Sequence, residues 1–211
     1  MDKAPIAFAF VEFETTFSAP QTNAAAFERL ACVALSRLTE FEVNAGDIVL
    51  GNRDGPLTAD RLTVEIRRWS AVASWNYVGS RVRITQPSWD RRDRFESLID
   101  AVAACSKSVG LESDHVQVAL DLHLGVTYED YLRKMADIVT VHLAPPDLSP
   151  TGFGLALYGV DSQITIDASR VISGGLYARL YRRHTADRGT AAITDALLRD
   201  EVFLLNALKF G

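Results

Sequence analysis

The sequence predicts an α+β protein: a mostly antiparallel sheet with helices on one face, built from two tandem β-α-β(3-4)-α units. Three observations carry this expectation. Residues 61–87 alternate apolar and polar side chains in the manner of an antiparallel meander, helical patterns flank that meander, and the same order of elements returns after residue 111.

The elements follow in order. Residues 7–17 read as a strand in which Phe8 and Phe10 give way to Val11, Phe13 and Thr15, a one-residue slip that predicts a bulge. Thr22 or Asn23 caps a helix carrying Phe27, Leu30, Ala31, Ala34, Leu38 and Phe41 at offsets of three and four. Residues 47–50 form a short strand, and the Gly, Asn and Pro content of 51–56 marks a reversal. In the meander, Leu62, Val64 and Ile66 alternate with Thr63, Glu65 and Arg67, and Val82 and Ile84 alternate with Arg81, Arg83 and Thr85. Gly79-Ser80 is the expected tight turn. From Asp90 the period turns helical through Phe95, Leu98, Ile99, Val102, Cys105 and Val109, and Gly110 stands where a left-handed cap belongs.

The second unit restarts with Val116, Val118, Leu120, Leu122 and Leu124 in strict alternation. Thr127, with Asp130 three residues on, opens a helix bearing Tyr131, Leu132, Met135 and Ile138. Residues 139–143 suggest a short strand and 144–152 a loop. Residues 153–159 and 163–168 form a hairpin turning at Asp161-Ser162, 176–183 form a further strand, and a helix without Gly or Pro closes the chain over 192–209. The division near 111–114 gives units 1–111 and 112–211, packed as one globular domain by internal duplication. Strand 7–17 would then correspond to 115–124, and the helix from Asp90 to the C-terminal helix.

Composition narrows the function classes. At 211 residues and 48% hydrophobic content the chain can bury a sizeable core, and a net charge of −5 argues against bulk attraction to nucleic acid or anionic lipid. No run approaches the roughly 20 apolar residues of a membrane span. The apolar run 4–11 is interrupted by Pro5 and cut off by Glu12, unlike a signal peptide. Cys32 and Cys105 fall on apolar helix faces, which predicts buried thiols and a reducing, cytoplasmic setting.

Two resemblances accompany this reading. The opening Ala4-Pro-Ile-Ala-Phe-Ala-Phe-Val-Glu-Phe-Glu14 and the stretch from Arg81 to Phe95 resemble a sporadically distributed, uncharacterised bacterial family of about this size. That family shows Arg where this chain has Thr15, and it implies no catalytic residues. The tandem element order resembles the TATA-binding-protein-like saddle, a likeness of fold alone.

No phosphate-binding Gly-rich loop, His-Glu-x-x-His or Gly-x-Ser-x-Gly motif occurs, so the sequence points to no cofactor and no metal. Arginines are more suggestive. Arg67, Arg81 and Arg83 in the first half and Arg179 in the second, with Trp75, Tyr77 and Tyr181 among them, would form a surface for stacking and anion binding if they share a sheet face. The bland reading is a solvated face paired with Glu65 and neighbouring acids. The expectation is therefore a non-catalytic binding or interaction module that takes an anionic ligand or a protein partner on an open sheet face or in the cleft between halves. One alternative is a small-molecule-binding enzyme with a site between the halves. It would use Asp121 and His123, which share one parity of their strand about 7 Å apart. His142 is a third ligand by type only. The other alternative is nucleic-acid binding by the saddle face, which would require many phosphate contacts.

Overall fold

A computed structural model describes residues 6–19, 24–51, 61–133, 135 and 154–208 of the chain. It is an α+β protein whose element order is β1 (Ile6–Phe17), α1 (Ala24–Arg37), β2 (Ile48–Leu50), β3 (Arg61–Ile66), β4 (Ala71–Asn76), β5 (Gly79–Thr85) and α2 (Arg92–Ser108), followed by a second series. That series comprises β6 (Ser113–Thr127), α3 (described over 128–133), β7 (Leu155–Tyr158), β8 (Ser162–Ala168), β9 (Gly175–Thr185) and α4 (Thr190–Ala207). The sheet has the strand order β2-β3-β4-β5-β1-β6-β9-β8-β7. Within it β1–β5, β2–β3, β3–β4, β4–β5, β7–β8 and β8–β9 pair antiparallel. Two compact units divide the chain: one is Phe10–Val118 with Arg183–Asp195, the other Met1–Ala9, Ala119–Arg182 and Ala196–Gly211. They are called the first and second unit below.

In the first unit the period-two pattern sorts side chains cleanly. Val11, Phe13 and Phe17 of β1, Leu62, Val64 and Ile66 of β3, Ala71, Ala73 and Trp75 of β4, and Val82 and Ile84 of β5 are buried on the face that meets α1 and α2. β1 pairs with β5 without interruption from Phe10↔Thr85 to Thr16↔Gly79. The predicted bulge is therefore absent from this ladder. Phe8 and Phe10 simply occupy the opposite face from Val11 and Phe13, and two aromatic residues on a polar face produce the apparent slip.

Two further expectations need correction. Gly79-Ser80 is not the turn: both residues open β5, and the chain reverses at Tyr77-Val78, where the Asn76 carboxamide accepts the Val78 and Gly79 amides at 2.9 and 3.0 Å. Gly79 is required by close approach, since a Cβ there would collide with the Thr15 carbonyl oxygen. Arg67 is not a strand residue either. With Arg68 and Trp69 it forms a 3₁₀ turn, closed by Ser70 in the left-handed region at φ 47°.

The first helix ends at Arg37, short of Phe41, because Leu38 leaves helical geometry and a separate 3₁₀ turn over Thr39–Phe41 carries buried Phe41 to an edge contact with Trp69. Cys32 is exposed, since the buried stripe Phe27, Leu30 and Ala34 runs along another side of α1. Cys105 is buried as expected, and desolvation pushes its thiol up to about 11, so it is unreactive near neutrality. Gly110 has φ 79° and follows α2 as its left-handed cap. The readings of a strand over 139–143, a loop over 144–152 and most of the reversal over 51–56 lie outside the described residues.

Polar groups fix the start of α4 against α2 in the first unit. Arg92 Nε donates to Glu96 at 2.6 Å and its Nη1 to Asp195 at 2.5 Å, while Thr194 bonds Glu96 and Thr190 bonds Asp100 at 2.5 Å. In the second unit Leu120, Leu122 and Leu124 of β6 and Leu176, Ala178 and Leu180 of β9 are buried. Arg182, on the same parity of β9, forms a two-point pair with Asp200 of α4.

Leu120 is fully buried, so Leu120→Ala is expected to cost about 2–5 kcal/mol. Against a typical stability of about 5–15 kcal/mol that is a large share. Thermal denaturation should show a drop of several degrees; a change within about one degree would contradict the burial of this strand face.

Candidate functional site

The two units dispose their arginines differently, and the difference follows from strand register. In the first unit Glu12 lies opposite Arg83 and Glu14 opposite Arg81 across β1 and β5. Arg81 reaches Glu14 at 3.5 Å and Glu12 at 3.9 Å, Arg83 reaches Glu12 at 3.6 Å, and the Arg83 guanidinium lies 3.9 Å above the Phe10 ring. Arg67 pairs with Asp47 at 3.4 Å and Glu65 at 3.3 Å, and Arg68 pairs with Glu42. On this sheet face Arg81 and Arg83 are thus each matched with an acid across the β1–β5 pair.

Trp75 does not belong to that face. It pairs with Leu62 across β3 and β4, is only 1% exposed, and donates its indole N–H to Ser106 Oγ of α2 at 2.9 Å. Odd and even positions of one strand point oppositely, which separates Trp75 from Ser74 and Asn76. Tyr77 sits at the β4–β5 reversal and is 54% exposed. The structure thus keeps Arg81 and Arg83 together and sets Arg67, Trp75 and Tyr77 apart from them.

In the second unit the polar parity of three strands converges. Asp121 and His123 of β6, Tyr177, Arg179 and Tyr181 of β9, and Gln163, Thr165 and Asp167 of β8 lie on the face opposite the buried leucines. Asp121 is fully buried and His123 nearly so. Among the described residues no group of three or more potential metal ligands occurs; His142 lies outside them.

What replaces water around these groups is specific. The Tyr177 hydroxyl donates to Asp121 Oδ1, and the Arg179 Nη1 lies 3.8 Å from the same oxygen. Burial first, and then the hydrogen bond to Asp121, hold the Tyr177 phenol well above its ordinary range, so it remains a donor at all physiological pH. The His123 ring packs between Phe8, with centroids 5.8 Å apart, and Tyr177, at 5.1 Å. Burial lowers the His123 pKa, with the Asp121 charge opposing the shift.

The His123 tautomer follows from a donor count. Ser169 Oγ lies 2.8 Å from Nδ1, and the same oxygen accepts the Val171 amide at 3.2 Å and the Ile172 amide at 2.9 Å. A serine oxygen has two lone pairs and one proton. With both lone pairs directed at amides, its O–H donates to Nδ1, and the neutral imidazole carries its own proton on Nε2. Ser169 is thereby occupied as the acceptor of a tight turn, which leaves it poorly placed as a nucleophile despite its contact with a histidine.

Beside this cluster Gln163, Thr165, Arg179 and Tyr181 line an open cavity of about 260 Å³. Thr165 stands opposite Arg179 and Gln163 opposite Tyr181 in the β8–β9 register, and the Gln163 amide bonds the Thr165 hydroxyl at 3.1 Å. The only charge in this lining, among the described residues, is positive.

No known protein family and no curated protein matches the chain. The site is accordingly defined by its geometry. Arg179, Tyr181, Asp121 and His123, singled out from the sequence, fall in one neighbourhood of the second unit. Ser169, Gln163 and Thr165 were not singled out. The alternation of Gln163 and Thr165 with Ile164 and Ile166 carried the signal for the latter two. Nothing marks Ser169 in advance, because its contact with His123 spans 46 residues.

The lowered pKa of His123 fixes the sign of a pH effect. Unfolding returns the ring to the ordinary value near 6.5, so below that value the unfolded chain binds the additional proton and folding stability falls with pH. Denaturant titrations at about pH 7.5 and about pH 5 should show a larger loss for the native protein than for His123→Asn, whose carboxamide can still accept the Ser169 hydroxyl. Equal losses would show that the imidazole is not held neutral by burial.

Proposed function

We propose that the protein is a non-catalytic binding module, and that it takes a small anionic ligand on the polar sheet face of its second unit. The observation carrying this reading is the position of Arg179. Asp121 and Tyr177 brace its guanidinium from the buried side, and it lines a cavity whose other walls are the uncharged Gln163, Thr165 and Tyr181. A braced guanidinium beside hydroxyl and amide donors suits a carboxylate or phosphate, because little side-chain freedom is lost on binding. Arg67, Arg81 and Arg83 each stand beside acids of the first unit, which weighs against the nucleic-acid alternative, since that reading needs a row of phosphate contacts.

The catalytic alternative has one observation in its favour, the Ser169–His123 contact near Asp121. The two amides held by Ser169 Oγ weigh against it. Chemistry at this place would have to use His123 or Tyr177, and both are held in their neutral forms by burial.

We also infer that the halves 1–111 and 112–211 descend from one duplicated unit of the saddle-like kind. In support, strands read outward from β1 as β5, β4, β3, β2 and from β6 as β9, β8, β7, each running backwards along the chain. Superposition of the two halves in an experimental structure should match β1 to β6 and α2 to α4. A match that pairs β1 with any other strand would refute the duplication.

Titration of isotope-labelled protein with inorganic phosphate, followed by amide chemical shifts, tests the binding site. Saturable shifts are expected at 163–165 and 179–181, with at least about tenfold weaker binding in Arg179→Gln, the loss of one charge-assisted contact of about 1.5 kcal/mol or more. Shifts centred on Arg81 and Arg83, or unaffected by Arg179→Gln, would contradict the assignment.

A further inference from the structure

The first unit contains a second cavity of about 260 Å³, of opposite character to the first. Phe13, Phe17, Val82, Ile99, Val102 and Ile193 supply apolar walls from β1, β5, α2 and the first turn of α4. The polar groups that reach its interior are already satisfied. The Thr15 and Ser80 hydroxyls bond each other at 2.7 Å, and Ser106 Oγ accepts the Trp75 indole. A charged group at that depth would lose its hydration without gaining partners, so the interior selects an apolar tail.

The residues that also line this cavity near solvent have another chemistry. Lys107, in the last turn of α2, and Arg188, between β9 and α4, are both exposed and both line the cavity. Arg188 Nη1 lies 3.0 Å from His184 Nδ1, and among the described residues neither cation forms an ion pair with a carboxylate. Asp100, the one acid among the described residues of the lining, accepts the Thr190 hydroxyl at 2.5 Å. In a protein of net charge −5 whose first-unit sheet arginines Arg81 and Arg83 each stand beside an acid, two cations without acidic partners at an apolar opening call for an anion.

We propose that this cavity binds a small amphipathic carboxylate, its hydrocarbon tail between α2 and the β1–β5 pair and its carboxylate between Lys107 and Arg188. Size limits the ligand. A dry cavity of about 150 Å³ accommodates benzene, so this one accommodates about ten non-hydrogen atoms, the size of a medium-chain fatty acid or an aromatic carboxylic acid. The site is independent of the anion site at Arg179, with which it shares no residue.

Isothermal titration with octanoate and with octanol, one charged and one neutral probe of matched tail, tests the inference on the full chain. Octanoate should bind saturably and tighter than octanol, and Lys107→Gln combined with Arg188→Gln should weaken octanoate about tenfold while leaving octanol within about twofold. Ala103→Trp, placed to fill the cavity from α2, should abolish both. Arg179→Gln should change neither, which separates this site from the other. Should Ala103→Trp fail to fold, the charge variants decide. Octanol binding as tightly as octanoate, octanoate indifferent to the two charge substitutions, or no saturable binding of octanoate would each overturn the proposal.

Discussion

The pairing of β5 on β1 sets the chemistry of the first unit. Gly79 allows the two backbones to approach where a Cβ would strike the Thr15 carbonyl, and the ladder then runs unbroken to Phe10 and Thr85. Because side chains alternate, this one register puts Phe13 and Val82 together on the helix-facing side and Glu12 and Glu14 against Arg83 and Arg81 on the other. A slip by one residue would exchange the faces. The apolar cavity wall and the pairing of Arg81 and Arg83 with acids are thus two consequences of a single alignment.

The second unit uses the same period to a different end. Its polar parity is covered by its own aromatic and loop residues, so that Asp121 and His123 are withdrawn from water and bound to Tyr177 and Ser169. The Tyr177 hydroxyl donates to the buried Asp121 carboxylate at Oδ1, and the Arg179 guanidinium lies 3.8 Å from the same oxygen.

Much of the fold is legible in the residues because long alternating or helical runs carry a strong period. Val118, Leu120 and Leu122 on β6, and Phe95, Leu98, Ile99, Val102 and Cys105 on α2, all fall on the buried faces their spacing predicts. The failures are local and physical. Gly79 looks like a turn residue, yet it answers a close approach from Thr15 on a strand far away in the chain. Phe8 and Phe10 mimic a slip because aromatics can cover polar neighbours, as Phe10 does beneath Arg83. At the site, parity places Asp121 with His123 and Arg179 with Tyr181, but parity says nothing about cross-strand partners. Whether an arginine faces Glu12 or an uncharged groove is decided by register, which no local pattern encodes.

Whether Arg179, rather than the arginines of the first unit, receives an anion is decided most directly by a crystal structure determined in selenate, the ion being located by its anomalous scattering. An anomalous peak is predicted within hydrogen-bonding distance of the Arg179 guanidinium and close to Thr165 and Tyr181. A peak on Arg81 or Arg83 with none at Arg179 would contradict the anion site of the second unit.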